Sequence, residues 1–149
     1  MNKQLATGVE QFFKAFEANS AQGNMEAAAA QFAEVFMAAG PQGERVVRAS
    51  DFAAALPRRK QLFASLGCPA ATLVSLRQTQ LDQRYVMANA VWRFEFVRRQ
   101  SDGKPVQSEE IHVESMYIVD TAAEPFRIVF YLAHQDIMTI LKERGILQS

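Results

Sequence analysis

The sequence predicts an α+β fold in which helices pack on one face of a curved antiparallel sheet. Apolar residues recur at helical spacing before residue 70, and the spacing then changes to two, as strands require. A short helical pattern follows at the C-terminal end. Helices that precede a run of strands are typical of α+β folds. The 149 residues, 49% of them hydrophobic, predict a single domain over residues 1–149 with enough apolar material for a full core.

Two helices and two short strands are predicted in the first fifty residues. The first helix covers residues 3–19, and its apolar stripe is rich in phenylalanine: Leu5, Val9, Phe12, Phe13 and Phe16. Asn24 is positioned to cap the second helix, whose inward residues are Met25, Ala28, Ala29 and Phe32. Short strands are predicted over residues 35–39 and 44–49, with a glycine- and proline-containing turn between them.

A third helix is predicted from Ser50, its expected N-cap, to the breakers Gly67 and Pro69. Pro57 lies inside this pattern and predicts a kink or a break, because proline removes one backbone hydrogen bond. Arg59 falls in the apolar stripe of the same helix. We interpret the run Arg58-Arg59-Lys60 as a solvated helix face, on which Arg59 lays its aliphatic stem over apolar surface.

Four strands follow, over residues 72–81, 85–99, 107–119 and 126–133. Alternation gives the second of them an apolar face with Trp92 at its centre. On the third, the residues that look like the core face are Ile111, Val113, Ser115, Tyr117 and Val119. The opposite face carries His112 and Glu114 but also apolar Met116 and Ile118, so the sequence leaves open which face points inward.

Charge and composition argue against several classes of protein. The 16 basic and 16 acidic residues give a net charge of zero, which argues against nucleic acid and acidic membrane surfaces as partners. One cysteine excludes an internal disulfide framework, and only two histidines accompany it, which argues against a zinc site. No apolar run reaches the roughly 18 residues that span a bilayer, and the first residues do not resemble a signal peptide. We therefore expect a cytoplasmic protein without a metal or another cofactor.

Five features together carry a resemblance to a known superfamily. They are the Phe-rich first helix, the short segment 35–41, the third helix, a long strand with central Trp92, and the segment 130–136. This pattern of lengths resembles the nuclear-transport-factor-2-like superfamily of cystatin-like folds, which includes SnoaL-like cyclases and ketosteroid isomerases. The resemblance covers nearly the whole chain and implies a curved antiparallel sheet forming a cone, with the N-terminal helices packed on its concave face. It also implies a homodimer through the outer sheet face and a small ligand inside the cone.

The resemblance allows isomerase chemistry to be tested residue by residue. Isomerase-type members use a carboxylate at the end of the short early strand, a tyrosine on the first helix and a protonated acid on a later strand. Here the first helix offers no tyrosine, and the early strand offers Phe36, Met37 and Ala38, with Glu34 as the nearest carboxylate. Proton transfer needs a base and an oxyanion donor near the substrate, and the sequence places neither.

Two pairs of polar residues remain as catalytic candidates. His112 and Glu114 share one strand face, like the polar residues of scytalone-dehydratase-like members, or else form an exposed or dimer-facing polar row. His134 and Asp136 flank the end of the last strand and could form a hydrogen-bonded pair at the mouth of the cone. Alternatively, Asp136 caps the final helix and His134 satisfies the backbone. A metal site built from His112, His134 and Asp136 is not favoured, because the spacing is not diagnostic.

The predicted ligand-binding residues are Phe16, Trp92, Tyr117 and Tyr131. Tryptophan and tyrosine have polar tips that need partners when buried, which favours a pocket over plain core. The leading hypothesis is a dimeric cone that binds a small hydrophobic molecule in an aromatic pocket without a recognisable acid/base set. The alternatives are a SnoaL-like cyclase, dehydratase or isomerase, and a structural module for dimerisation or partner binding.

Overall fold

A computed structural model describes residues 2–99 and 101–148 of the chain. The elements follow one another as α1 (Lys3–Ala21), α2 (Met25–Ala30), β1 (Phe32–Gly40), β2 (Gly43–Arg48), α3 (Ala49–Ser65), β3 (Thr72–Gln80), β4 (Tyr85–Arg99), β5 (Pro105–Asp120), β6 (Arg127–Ala133) and α4 (Ile137–Glu143). The predicted α+β order of elements is therefore confirmed. None of the described helices combines the length and the apolar character that crossing a membrane would need.

The strands form one curved, unclosed sheet of six strands in the order β2-β1-β6-β5-β4-β3. Neighbouring strands are antiparallel except β1 and β6, which pair in parallel. The sequence did not predict this parallel pair, because it joins segments that lie far apart in the chain. It makes the early hairpin β1–β2 and the later meander into one continuous surface.

Three local features differ from the sequence prediction. Phe32 begins β1 rather than ending the second helix, although it still points into the core. Ser50 is not the N-cap of α3: the helix begins at Ala49, and the preceding Arg48 makes no capping hydrogen bond through its side chain. Pro57 lies within α3, which runs from Ala49 to Ser65, so of the two predicted outcomes the break is wrong. Pro57 is exposed, so its ring does not crowd the core.

The choice of sheet face that the sequence left open is settled by the register between β4 and β5. Trp92 pairs with Val113 and Ala88 pairs with Tyr117, which turns these four residues toward the helices. The residues between them on each strand point to the outer face. The core therefore lies between the inner face of the sheet and the helices, as predicted.

Helix α1 is held across the inner face by hydrogen bonds as well as by packing. Glu17 accepts a hydrogen bond from the backbone N–H of Leu73 at 2.7 Å, and Gln78 donates one to the carbonyl of Ala6 at 2.9 Å. Both bonds join α1 to β3. Val9 and Phe13 have no exposed surface, so α1 is fixed on the sheet along most of its length.

Helix α4 follows β6 and is attached to other parts of the fold at both of its ends. Pairing of β5 with β6 begins only at Ser115, so the first half of β5 pairs with β4 alone. One hydrogen bond runs from Gln42 to the Asp136 carboxylate (2.8 Å), and another from the Arg98 guanidinium to the Gly145 carbonyl (3.0 Å). These bonds attach the ends of α4 to the β1–β2 turn and to the far end of β4. The buried residues Ile137 and Leu141 complete the core beneath the helix.

Candidate functional site

The four predicted ligand-binding residues come together in one aromatic cluster on the inner face of the sheet. The ring centroids of Phe16 and Trp92 lie 6.1 Å apart, and those of Phe16 and Tyr117 lie 6.3 Å apart. Tyr117 and Tyr131 are 5.3 Å apart, because they pair directly across β5 and β6. We call these four residues the aromatic cluster. Whether they bind a ligand stays a prediction.

Two polar atoms lie at the centre of the aromatic cluster, and they are joined by a hydrogen bond. The indole N–H of Trp92 donates a hydrogen bond to the Tyr117 hydroxyl at 3.1 Å, and both residues are buried. Burial, followed by the nearby Tyr131, raises the pKa of Tyr117 well above its ordinary value. Tyr117 therefore stays protonated at neutral pH and can donate a hydrogen bond but cannot act as a base.

The rim of the aromatic cluster is more open than its centre. Phe16 on α1 and Tyr131 on β6 are only half-buried, whereas Trp92 and Tyr117 are buried. Phe32 contacts Phe16 with centroids 5.7 Å apart, and Phe52 of α3 contacts Phe32 at 4.8 Å. The aromatic surface thus continues from the buried centre toward half-buried rings on α1, α3 and β6.

The inner face offers little acid/base chemistry. Among the described residues, the polar or charged side chains that are buried are Ser115 and Asp120. Asp120 lies at the end of β5 and is bound by the guanidinium of Arg84 at 2.8 and 2.9 Å. This hydrogen bonding to Arg84 lowers the pKa of Asp120, so the carboxylate is tied up in an ion pair at the end of the sheet.

The four catalytic candidates do not point into the aromatic cluster. His112 and Glu114 lie on the outer face of β5 and are exposed. His112 is near Glu110, with 3.7 Å between the ring nitrogen and the carboxylate. The sequence prediction of an exposed polar row describes this arrangement.

His134 and Asp136 have backbone and capping contacts at the start of α4. The backbone N–H of the exposed His134 donates to the carbonyl of Glu114 at 3.0 Å. The Asp136 carboxylate caps α4, accepting from the backbone N–H of Met138 and from the Thr139 hydroxyl. These contacts match the alternative interpretation of the pair, in which Asp136 caps the final helix and His134 satisfies the backbone. Among residues 2–99 and 101–148, no three His, Cys, Asp or Glu side chains gather as a metal site would need.

Two open clefts lie beside the C-terminal end of α3, away from the aromatic cluster. Their volumes are about 490 and 520 Å³. Both are lined by Ala64, Gly67 and Val97, and neither is lined by a member of the aromatic cluster. Gly67 has a φ of +92°, and a Cβ there would lie 2.1 Å from the Val97 carbonyl oxygen, so this close crossing of α3 and β4 requires glycine.

Arg59 is the charged residue in the inward stripe of α3. The stripe, at alternating spacings of four and three, is Phe52, Leu56, Arg59, Phe63 and Leu66. The guanidinium carbon lies 5.1 Å from the centroid of the Phe63 ring, as the stem-over-apolar interpretation predicted. The helical spacing shows a cation in an otherwise apolar stripe, but the sequence pattern alone gives Arg59 no functional role.

The fold of the chain is shared with many solved structures. Aln2 from a Streptomyces species superposes with a TM-score of 0.71 at 12% identity, covering 94% of this chain and 96% of its own. A protein with a cystatin-like fold from Novosphingobium aromaticivorans has a TM-score of 0.67 at 14% identity, with 97% and 89% covered. A protein named as a candidate polyketide cyclase from Xanthomonas campestris has a TM-score of 0.56 at 15% identity, with 90% and 94% covered.

These likenesses show the fold and confirm the expected architecture. The chain has the cystatin-like fold of the nuclear-transport-factor-2-like proteins. Comparison of the sequence with protein-family models and with curated proteins finds no match.

Proposed function

We propose that this cystatin-like cone is a homodimer that binds a small apolar molecule at the aromatic cluster and does not use an acid/base pair there. The observation that carries the proposal is the Trp92–Tyr117 hydrogen bond at 3.1 Å, surrounded by aromatic rings that become half-buried toward Phe16 and Tyr131. Ligand sites are mostly apolar and aromatic, with a few placed polar groups that orient the ligand. The aromatic cluster has this composition.

A ligand would enter at the half-buried rim rather than at the buried centre. Phe16 and Tyr131 belong to different elements, α1 and β6, so a change of rotamer at either one would open space between them without moving the sheet. Behind them, the Tyr117 hydroxyl accepts from Trp92 and also interacts with the buried Ser115 side chain. An apolar molecule with one polar atom that can join this group would match the arrangement.

The dimer is proposed from a row of apolar side chains that crosses the outer face of the sheet. Each neighbours the next across a strand pair, in the order Val46, Met37, Phe130, Ile118 and Met87. Val46 keeps 66% of its surface exposed, and the other four are half-buried. Met116 and Leu132 form a second apolar pair beside this row. A contiguous apolar surface of this kind is typical of a protein interface, and we propose a second copy of this chain as its partner.

The enzymatic alternative has less support from the described residues. A SnoaL-like cyclase, dehydratase or isomerase would need a histidine or carboxylate next to the aromatic cluster. His112 and Glu114 lie on the outer face, and His134 and Asp136 lie at the start of α4. The alternative of a partner-binding module would use the same outer face as the proposed dimer.

Ligand binding can be measured through Trp92, because it is the only tryptophan. Titration of the protein with apolar aromatic compounds that do not absorb with tryptophan should quench or shift its fluorescence. A Tyr117→Phe variant should bind more weakly, whereas Tyr85→Phe, on the outer face, should bind as the parent protein does. A fluorescence signal that no compound in a broad panel changes would contradict the proposal.

Dimer formation can be tested by sedimentation or by light scattering after size-exclusion chromatography. The parent protein should have twice the mass of one chain. Ile118→Lys places a charge in the middle of the apolar row and should give a monomer with an unchanged circular dichroism spectrum. Val74→Lys, on the exposed strand β3, is the matched control and should stay dimeric. A parent protein that is monomeric at high concentration would rule out the dimer.

A further inference from the structure

Arg59 is placed where an apolar residue would be expected. In the stripe of α3 it is preceded by Leu56 and followed by Phe63, both of which are buried or half-buried. Phe63 packs on Phe94 and Phe96 of the inner face of β4, with centroids 5.6 and 5.9 Å apart. The stem of Arg59 therefore follows the apolar wall of the cone, while its side chain stays exposed.

The charge of Arg59 has no acidic partner among the described residues. The described ion pairs of this chain involve Lys14, Arg84, Arg93 and His112. The neighbouring Lys60 uses its ammonium group on the carbonyls of Ala21 and Pro69, at 3.2 and 2.7 Å. Within residues 2–99 and 101–148, the contact given for the guanidinium of Arg59 is the Phe63 ring, which leaves its planar set of donors available.

Arg59 is connected to the aromatic cluster through packed rings. Phe63, over which its guanidinium lies, packs on Phe94, which follows Trp92 by two residues on the inner face of β4. Earlier in the same stripe, Phe52 contacts Phe32, which contacts Phe16 of the cluster. The charge of Arg59 favours an anion on this side of the cluster, although burial outweighs it at Tyr117 and raises the pKa of that hydroxyl.

We propose that the ligand is an aromatic carboxylate, whose ring lies on the aromatic cluster and whose carboxylate is bound by Arg59. The inference rests on the proposed function, since it names the chemical class of the molecule bound at that same cluster. A guanidinium presents paired donors that fit a carboxylate in a bidentate manner, and lysine lacks this geometry. Arg59 is then a specificity-determining residue rather than a catalytic one.

The test compares two probes of the same shape, 2-naphthoate and 2-naphthamide, by isothermal titration calorimetry at pH 7. The parent protein should bind the carboxylate about tenfold more tightly than the amide, or better, as expected for a charged hydrogen-bonded pair. Arg59→Gln should reduce this ratio to near one, and Arg59→Lys should restore only part of it. Arg58→Gln removes the same charge from the adjacent, exposed position and should leave the ratio unchanged.

Each outcome decides one of the two proposals. Equal affinity for the two probes in the parent protein, or a ratio that survives in Arg59→Gln, overturns the inference about the carboxylate but leaves the apolar site intact. Equal loss in Arg58→Gln and Arg59→Gln would show only a general effect of net charge and would overturn it as well. Binding of neither probe by calorimetry, together with a compound panel that leaves Trp92 fluorescence unchanged, overturns the proposed site and this inference with it.

Discussion

Helices α1 and α3 both border the core, but they are held there by different means. α1 begins at Asn2, whose side chain caps it, and it is bonded to β3 through Glu17 and Gln78. α3 begins without a side-chain cap, contains Pro57 and has Phe63 as its buried residue. The difference indicates that α1 is the fixed wall of the cone, whereas α3 is the open wall, where side chains still reach water.

The largest effect that would test this comparison is truncation of a buried ring on each helix. Phe13→Ala on α1 should lower the free energy of unfolding by about 3–5 kcal/mol, because Phe13 is fully buried. Phe52→Ala on α3 removes a half-buried ring and should cost about 1–2 kcal/mol. Urea unfolding followed by circular dichroism gives both values. Equal losses would contradict the distinction between a fixed and an open wall.

The next largest effect on stability is expected from the Trp92–Tyr117 hydrogen bond, which lies on the sheet beneath the helices. Tyr117→Phe leaves the buried N–H of Trp92 without its acceptor and should cost about 1–3 kcal/mol at neutral pH.

The pH dependence of unfolding gives a separate signature of the same residue. The pKa of Tyr117 is raised in the folded state, so the unfolded chain loses this proton first as pH rises. The stability tied to the neutral hydroxyl is complete below the ordinary tyrosine pKa of about 10 and decreases above it. Tyr117→Phe should flatten the fall in stability above that pH, and an unchanged slope would argue against the buried, protonated hydroxyl.

A smaller effect should follow from loss of the bond between α1 and β3. Glu17→Ala removes the acceptor of the Leu73 N–H and should lower the free energy of unfolding by about 1–2 kcal/mol. Glu10→Ala on the same helix breaks only an exposed pair with Lys14 and should cost at most about 0.5 kcal/mol. If the two variants are equally stable, the bond between Glu17 and Leu73 does not help to hold α1 on β3.

The smallest effect is expected at Arg59. Its contact with Phe63 is exposed to solvent, so Arg59→Gln should change the free energy of unfolding by no more than about 0.5 kcal/mol. A chemical denaturation curve that overlays that of the parent protein would separate a binding role from a structural one. A loss of several kcal/mol would instead make Arg59 part of the core.

Much of the fold could be predicted because alternation and helical spacing report burial directly. The apolar face around Trp92 and the stripe of α1 both point inward as expected. The face of β5 was ambiguous because Met116 and Ile118 are apolar as well, and only pairing with β4 resolves it. The parallel pairing of β1 with β6 depends on contacts between distant segments, which no local pattern records.

The aromatic residues of the candidate site could be predicted from the sequence, but the position of Arg59 relative to them could not. The spacing brought Phe16, Trp92, Tyr117 and Tyr131 to inward positions, and the sheet register then placed Tyr131 beside Tyr117. A basic residue on a helix is usually just solvated, so a role for Arg59 can be proposed only when its neighbours in the structure are known. The absence of an acidic partner for it among the described residues becomes visible only in three dimensions.

Helix α4 has a consequence for how the core can be exposed. It has seven residues, and isolated helices shorter than about 12–15 residues are marginal in water. α4 therefore holds its helical shape only while Ile137 and Leu141 are packed in the core, so detachment and unwinding are one event. Amide hydrogens of α4 should then exchange with solvent together, at a rate set by the breaking of the Gln42 and Arg98 tethers and this packing, while those of α1 remain protected until the whole sheet opens.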